Sequence, residues 1–445
     1  MPNIQRYLGV FMESYFENKK KSLAIIALVF TFMLTTNYLL FSRYTNMGVG
    51  HQEVGLFVIL LNIVFILFTI SYFHYKKIIN PVSVYLIFVT LFLYSTLPLS
   101  NKTEFSEKLL LLVLTAIFFY FVGIFSPRSK RLNTFPLFST KTKTLYFRIL
   151  SVVSLVSFIV EIIIIGYVPI LRIFDNLNIY GDATESMTIL HTFVLLTPIL
   201  IYWCLILYKT SVISKKEKNL FLIIYVFILI NNFGRTTLLM LFITGLIYFE
   251  FYGKLNNKKL VIGIFAFFAI FIVLGNIRSG NTGETINKIL RNIANTDYET
   301  SIYESYIISY SSVNFYKMNE IVELKDEIKD YSFGANALKP LMKLVGFTPK
   351  ILRENPIFDT QGRLTTYLMD PYLDFGFLGV IFFNLLYGIV SSALFRKYNE
   401  KNSPEYIISW ALVVFCLFMG FFYNAFNTMV VWIIYISNKI ILKKI

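Results

Sequence analysis

Lys215-Lys216-Glu217-Lys218, an apolar run, Asn231-Asn232-Phe233-Gly234-Arg235, a second apolar run, then Lys254, Lys258 and Lys259: this stretch sets the topology of the chain. The segment 219–254 is long enough for one long membrane span or two short ones. Lys and Arg in short loops are retained on the cytoplasmic side. One span would put one of the two lysine clusters outside, whereas a hairpin puts both inside, so the flanks favour spans at 220–233 and 236–251. Fourteen residues at 1.5 Å each reach only about 21 Å of a roughly 30 Å hydrocarbon core. The turn is therefore expected below the outer surface. A charged Arg235 at that depth is costly unless it faces water or an anion.

On either side of this hairpin the same pattern recurs. Apolar runs fall near 22–41, 54–74, 79–99, 108–126, 148–170 and 189–208 before it, and near 260–276, 372–395, 405–424 and 429–441 after it. That makes twelve predicted spans and an all-α, polytopic helical bundle. The expected organisation is nine spans in 1–276, one large extracytoplasmic loop at 277–364 and three spans in 365–445. The first run follows Lys19-Lys20-Lys21, is long for a signal-peptide core and lacks a small-x-small cleavage site after it, so it reads as an uncleaved span.

Composition agrees. The chain has 445 residues, of which 56% are hydrophobic, with a mean hydropathy of +0.64. Its net charge of +15 invites a nucleic-acid reading, but the distribution of the charge argues against one. With the N-terminus inside, 25 of the 41 Lys and Arg fall in cytoplasmic segments, and 11 of the other 16 lie in the one long outer loop. Of the 26 acidic residues, 19 fall outside and only six inside. The excess is topogenic, and its expected partner is anionic membrane lipid. Both termini are expected in the cytoplasm.

Cys204 and Cys416 lie inside apolar runs, so neither a disulfide framework nor a thiolate site is expected. His51, His74 and His191 show no metal-ligand spacing and read as residues near helix ends. No phosphate-binding loop, dinucleotide fingerprint or nucleophile elbow occurs, so no cofactor and no metal is expected. Glu161 lies in mid-span and requires a partner or a cavity; it marks either a transport path or a buried paired carboxyl. In the outer loop, Ile302, Tyr306, Ser309, Val313 and Tyr316 keep near-helical spacing, which predicts amphipathic helices on the outer membrane face.

The residues left to do chemistry share one side. Arg235 tips the hairpin, Arg278 follows the ninth span, and Arg363 precedes the tenth, which opens with Asp370-Pro371-Tyr372-Leu373-Asp374-Phe375-Gly376-Phe377-Leu378-Gly379. Guanidinium groups bind diphosphates bidentately and stay charged when partly desolvated. A nearby carboxylate is suited to general-base attack by a sugar hydroxyl, with Asp374 as the candidate. Each residue also has a structural alternative. Arg235 fits a snorkelling anchor, Arg363 a partner for Asp359 or Asp370, and Asp374 a helix cap or ion-pair partner.

Taken together, Gly234-Arg235-Thr236-Thr237-Leu238-Leu239, Arg278-Ser279-Gly280, Thr348-Pro349-Lys350 and the passage from Leu364 to Gly379 resemble the oligosaccharide repeat unit polymerases, the Wzy-type proteins of O-antigen and capsule assembly. The resemblance covers roughly 230–395 by motif and the whole chain by layout. It implies a GT-C-like helical glycosyltransferase working on the outer face without nucleotide sugar. The growing glycan on undecaprenyl diphosphate would be the donor, and the next lipid-linked repeat unit the acceptor. It further implies that Arg235 and Arg278 contact the diphosphate, and that a flippase and a chain-length regulator are partners. Two other readings stay open. One is a lipid-linked oligosaccharide flippase, disfavoured by the absence of an internal repeat and by the 88-residue outer loop. The other is a ligase that moves finished glycan to another acceptor.

Overall fold

The computed structural model describes residues 51–96, 106–126, 139–172, 188–232, 234–255, 262–263, 266–267, 314–325, 331–344, 366–401 and 403–443. The predicted spans 22–41 and 260–276, apart from isolated residues of the latter, lie outside them, as do Arg278 and Arg363. The described residues are helical, with no strand among them. Five helical stretches are long and apolar enough to cross a membrane, and four shorter apolar helices accompany them.

The chain divides into two units, Met1–Phe105 and Ser106–Ile445. In the first, α1 (His51–Tyr75) packs on α2 (Pro81–Thr96). Asn80 starts α2: its Oδ1 accepts the N–H groups of Val82 and Ser83 at 3.0 Å each. Pro81 sits at the first helical position, where no N–H is needed.

The second unit begins with α3 (Glu107–Ile124), capped by Ser106, whose Oγ accepts the Leu109 N–H at 3.2 Å. Helix α4 (Thr140–Ile165) starts eight residues before the predicted span, because Ser139 caps the Thr-Lys-rich turn with a 3.2 Å bond from Thr142 N–H. It stops at Gly166, which takes φ +80° and closes the helix through its N–H to Ile162 O. A short 3₁₀ turn, Pro169–Arg172, follows. The span expected at 189–208 is present as one apolar stretch, Ile189–Lys209, which a two-residue turn divides into α5 (Thr188–Val194) and α6 (Thr197–Lys209). Pro198 has no N–H for the Val194 carbonyl, and the Thr197 hydroxyl donates to that carbonyl instead, at 2.6 Å.

The hairpin is present as α7 (Lys215–Asn232) and α8 (Arg235–Phe251). Its arms are longer than expected, 18 and 17 residues, or about 27 and 26 Å, so they come close to the roughly 30 Å core on their own. Helix α6 packs against both arms. It runs antiparallel to α7, with the Cys204 thiol on the Lys218 carbonyl, and parallel to α8, with the Tyr202 hydroxyl on the Leu241 carbonyl. Lys218 Nζ lies over the Tyr208 ring at 4.6 Å and Lys209 Nζ over the Tyr252 ring at 3.2 Å. Both basic flanks thus return to one end, and a single long span is excluded.

Beyond lie α9 (314–325), α10 (Lys339–Leu344), α11 (Met369–Asn399), α12 (Glu405–Met419) and α13 (Met429–Leu442). Helix α11 lies along α3, and the two run parallel: Lys108 Nζ is 6.0 Å from the Tyr372 ring, and Gly123 meets Gly388. A methyl carbon on Gly388 would stand 2.2 Å from the Tyr120 carbonyl oxygen, so both backbones need bare glycine at the crossing.

Within this unit, side chains from successive helices sort into two ends. At one end, Lys143 Nζ donates to Lys443 O, Arg148 pairs with Glu217 at 2.7 Å, Lys439 pairs with Glu405, and the Tyr398 hydroxyl donates to Ile247 O. At the other, Ser106 meets Asn319, Thr366 meets Met318, Tyr367 N–H donates to Gly420 O, and Ile170 N–H donates to Asn231. We call these the basic end and the distal end.

Helix α4 shows how a bilayer orders the side chains. Leu145, Ile149, Val152, Val156, Ile159 and Ile163 form an exposed apolar stripe, while Ser151, Ser154, Ser157 and Glu161 are buried. Water would favour the reverse; lipid favours apolar groups outside and small or polar groups between helices. The fold is that of an all-helical membrane protein.

Candidate functional site

The distal end carries two polar centres. The first is the start of α11. Its helical run is broken at Gly376, which has φ +62° and ψ −144°. The break folds the first turn back, so that a methyl carbon on Gly379 would lie 2.0 Å from the Pro371 carbonyl oxygen. The paired glycines of the sequence motif are thus required by two different constraints, a left-handed backbone at Gly376 and close approach at Gly379.

Segment 331–338 docks into this break. Ser332 N–H donates to Leu373 O at 3.1 Å and Phe333 N–H to Asp374 O at 3.3 Å. Asp374 is fully buried and holds the segment through its carboxylate. Its Oδ1 accepts the backbone N–H and the side-chain amide of Asn336 at 3.1 Å each, and its Oδ2 accepts the Ala337 N–H at 2.8 Å. Asn427, from the 3₁₀ turn Ala425–Asn427, donates to the Asn336 carbonyl and to Asp370 Oδ2, both at 3.0 Å. Asp370, Asp374, Asn336 and the partly buried Asn427 therefore form one network joining α11, segment 331–338 and the turn between α12 and α13. Asp374 thus binds segment 331–338 through its carboxylate, rather than capping its own helix.

The second centre is the hairpin tip. Asn231 is fully engaged: its Oδ1 accepts the Ile170 N–H at 3.2 Å and its Nδ2 donates to Phe227 O at 2.9 Å. Arg235 is the first residue of α8, directly after Gly234. Arg278 and Arg363 lie outside the described residues, so of the four sequence candidates only Asp374 and the backbone of Arg235 are located, both at the distal end. Asn336, the main partner of Asp374, carried no sequence signal. Asn424 and Asn427 flank and close the 3₁₀ turn between α12 and α13.

Glu161 finds its partner in His191, with Nδ1 3.0 Å from Oε1, beside the apolar cluster of Phe158, Val194 and Ile228. His191 thus closes a polar contact between α4 and α5. Among the described residues, no group of three or more His, Cys, Asp or Glu is placed to hold a metal ion.

No family model, curated protein or solved structure matches the chain.

Proposed function

We propose that this protein is a glycosyltransferase that joins lipid-diphosphate-linked oligosaccharide repeat units into a surface polysaccharide. In this reading it is a twelve-span protein of the cytoplasmic membrane, with both termini and the basic end in the cytoplasm and 277–364 outside. The growing chain on undecaprenyl diphosphate is the donor and the next lipid-linked unit the acceptor, while a flippase and a chain-length regulator work beside it. No cofactor is involved.

The observation that carries the proposal is that the two motifs among the described residues lie at one end of a helical bundle. The Gly234-Arg235 start of α8 and the broken start of α11 with Asp370 and Asp374 both belong to the distal end. A lipid-linked substrate brings its head group to such an end from within the bilayer. Arg235, with Arg278 and Arg363, supplies cations for the diphosphate, which leaves as the new glycosidic bond forms. Asp374, whose two oxygens accept three donors, is the candidate base that takes the proton of the acceptor hydroxyl as the glycosidic bond forms.

The test is the surface polysaccharide of a deletion strain, complemented with wild type or with Arg235→Ala. Loss of the polymer ladder with a single repeat unit retained on its acceptor is expected, reversed by wild type alone. Long chains that stay lipid-linked would identify a ligase instead. Repeat units trapped on the inner face would identify a flippase.

A further inference from the structure

Helices α11, α12 and α13 do not close on one another along their whole length. They leave an open cleft of about 480 Å³. Val390 and Leu394 of α11, Leu412 and Cys416 of α12, and Trp432 and Ile436 of α13 line it, at the four-residue steps that keep to one face of a helix. Two lining residues turn their polar atoms away. Ser409 Oγ donates to the Glu405 carbonyl at 3.1 Å, and Trp432 Nε1 donates to the Phe426 carbonyl at 2.8 Å. The cleft therefore offers hydrocarbon contact. Tyr435 and Ile436 are exposed at its lip, so in a membrane bundle it opens toward lipid.

Its two ends differ. At the distal end the rings of Tyr387 and Phe426 stack, with centroids 4.2 Å apart and planes 11° from parallel. At the basic end each lining face continues, one turn on, into a polar rim. Lys397 follows Leu394 by three residues, Lys439 follows Ile436 by three, and Glu405 and Tyr406 precede Ser409 by four and three. The rim residues are in contact: Lys397 Nζ lies 5.4 Å and Lys439 Nζ 5.7 Å from the centroid of the Tyr406 ring. Lys439 pairs with Glu405, whereas Lys397 pairs with no carboxylate among the described residues. Two lysines against one glutamate leave the rim one positive charge. Lysine and tyrosine at the end of an apolar helix mark the membrane–water boundary.

We propose that this cleft binds an anionic phospholipid from the leaflet at the basic end, with one acyl chain between α11, α12 and α13 and its phosphate on Lys397, beside Lys439 and Tyr406. The apolar depth takes a hydrocarbon chain, held by close packing rather than by hydrogen bonds. The net positive rim favours an anionic head group over a zwitterionic one. The cations stand at the basic end and the stacked rings at the other, so the head group belongs to the basic side. A lipid diphosphate docked at the distal end would leave Lys397 unused. The inference does not rest on the polymerase reading and holds for any activity of the bundle.

The experiment reads the cleft through Trp432, because Trp203 and Trp410, the other two tryptophans, are fully buried. Purified full-length protein is placed in phosphatidylcholine nanodiscs, and phosphatidylglycerol brominated on its acyl chains is added stepwise. A parallel series uses brominated phosphatidylcholine. Bromine quenches indole fluorescence at contact range. Quenching is expected at a several-fold lower fraction of brominated phosphatidylglycerol than of brominated phosphatidylcholine, and Trp432→Phe should remove that component. Lys397→Gln is expected to reduce the preference about fivefold, as loss of one lysine beside an anionic head group does. Its melting temperature should match wild type, since no ion pair is broken. Lys216→Gln removes an exposed lysine elsewhere at the same end and should change nothing. Val390→Phe fills the cleft and should weaken quenching by both lipids.

Equal quenching by the two lipids overturns the site and leaves only the ordinary lipid annulus. A preference that survives Lys397→Gln, or that Lys216→Gln reduces as much, overturns it in favour of general surface charge. So does a preference that persists in Trp432→Phe, which would place the lipid elsewhere. No quenching by either lipid would mean that protein covers the cleft, a second copy of this chain included. Trace undecaprenyl phosphate that restores the fluorescence of wild type and Lys397→Gln alike would give the cleft to an isoprenoid chain instead.

Discussion

At the scale of single residues, Asp374 is the point where chemistry and architecture meet. A buried carboxylate with three donors is held in place by the bonds it accepts, and removing it strands the Asn336 and Ala337 N–H groups. Asp374→Ala is expected to cost about 3 kcal/mol, the order found when a buried charged hydrogen-bond partner is lost. Thermal unfolding in detergent reads this as a lower melting point, and proteolysis within 331–338 should quicken. An unchanged melting point would mean that the segment does not depend on the carboxylate. The sequence showed Asp374 as cap or base and could not choose, because its partners lie 37 and 38 positions away in the chain. Glu161 was similar: mid-span burial required a partner, yet His191, 30 positions on, read as an ordinary helix-end histidine. Nothing local to either residue names its contact.

At the scale of elements, glycine decides how closely helices approach. The parallel pair α3 and α11 cross where Gly123 faces Leu385 and Gly388 faces the Tyr120 carbonyl. Gly388→Ala puts a carbon 2.2 Å from that oxygen, which is backbone and cannot rotate away. The helices must separate, at a cost of about 1–3 kcal/mol. A melting temperature equal to wild type would contradict the close crossing. The helix end at Gly166 and the interruption before Pro198 were not legible in the sequence, where the predicted spans 148–170 and 189–208 run through both. The break at Gly376 was not legible either: its positive φ belongs with the docking of 331–338, a contact spanning 41 positions in the Ser332–Leu373 bond.

At the scale of the molecule, charge and hydropathy give alternating helix directions, and within the second unit the contacts agree from helix to helix. Lys209, Lys218 and Tyr252 meet at the basic end, and so do Glu405 and Lys439. Single-cysteine labelling tests which compartment that end faces, against a background kept low by the buried Cys204 and Cys416. A membrane-impermeant maleimide added to intact cells is expected to label Leu338→Cys and to spare Lys215→Cys and Lys254→Cys until the cells are opened. Opposite labelling of the two lysine positions would refute the hairpin. The sugars of the proposed reaction are not legible at any of these scales, because sugar recognition depends on side-chain geometry around a substrate rather than on periodicity or charge.

The central claim is that this bundle elongates a lipid-linked glycan with a lipid diphosphate as leaving group. The most direct measurement reconstitutes the full-length protein in liposomes with undecaprenyl-diphosphate-linked repeat units and no nucleotide sugar, then follows glycan length and released undecaprenyl diphosphate together. We expect longer glycans, one lipid diphosphate released for each new linkage, and loss of both with Arg235→Ala. Repeat units that cross the bilayer without growing, or a preparation that releases no lipid diphosphate, would contradict the account.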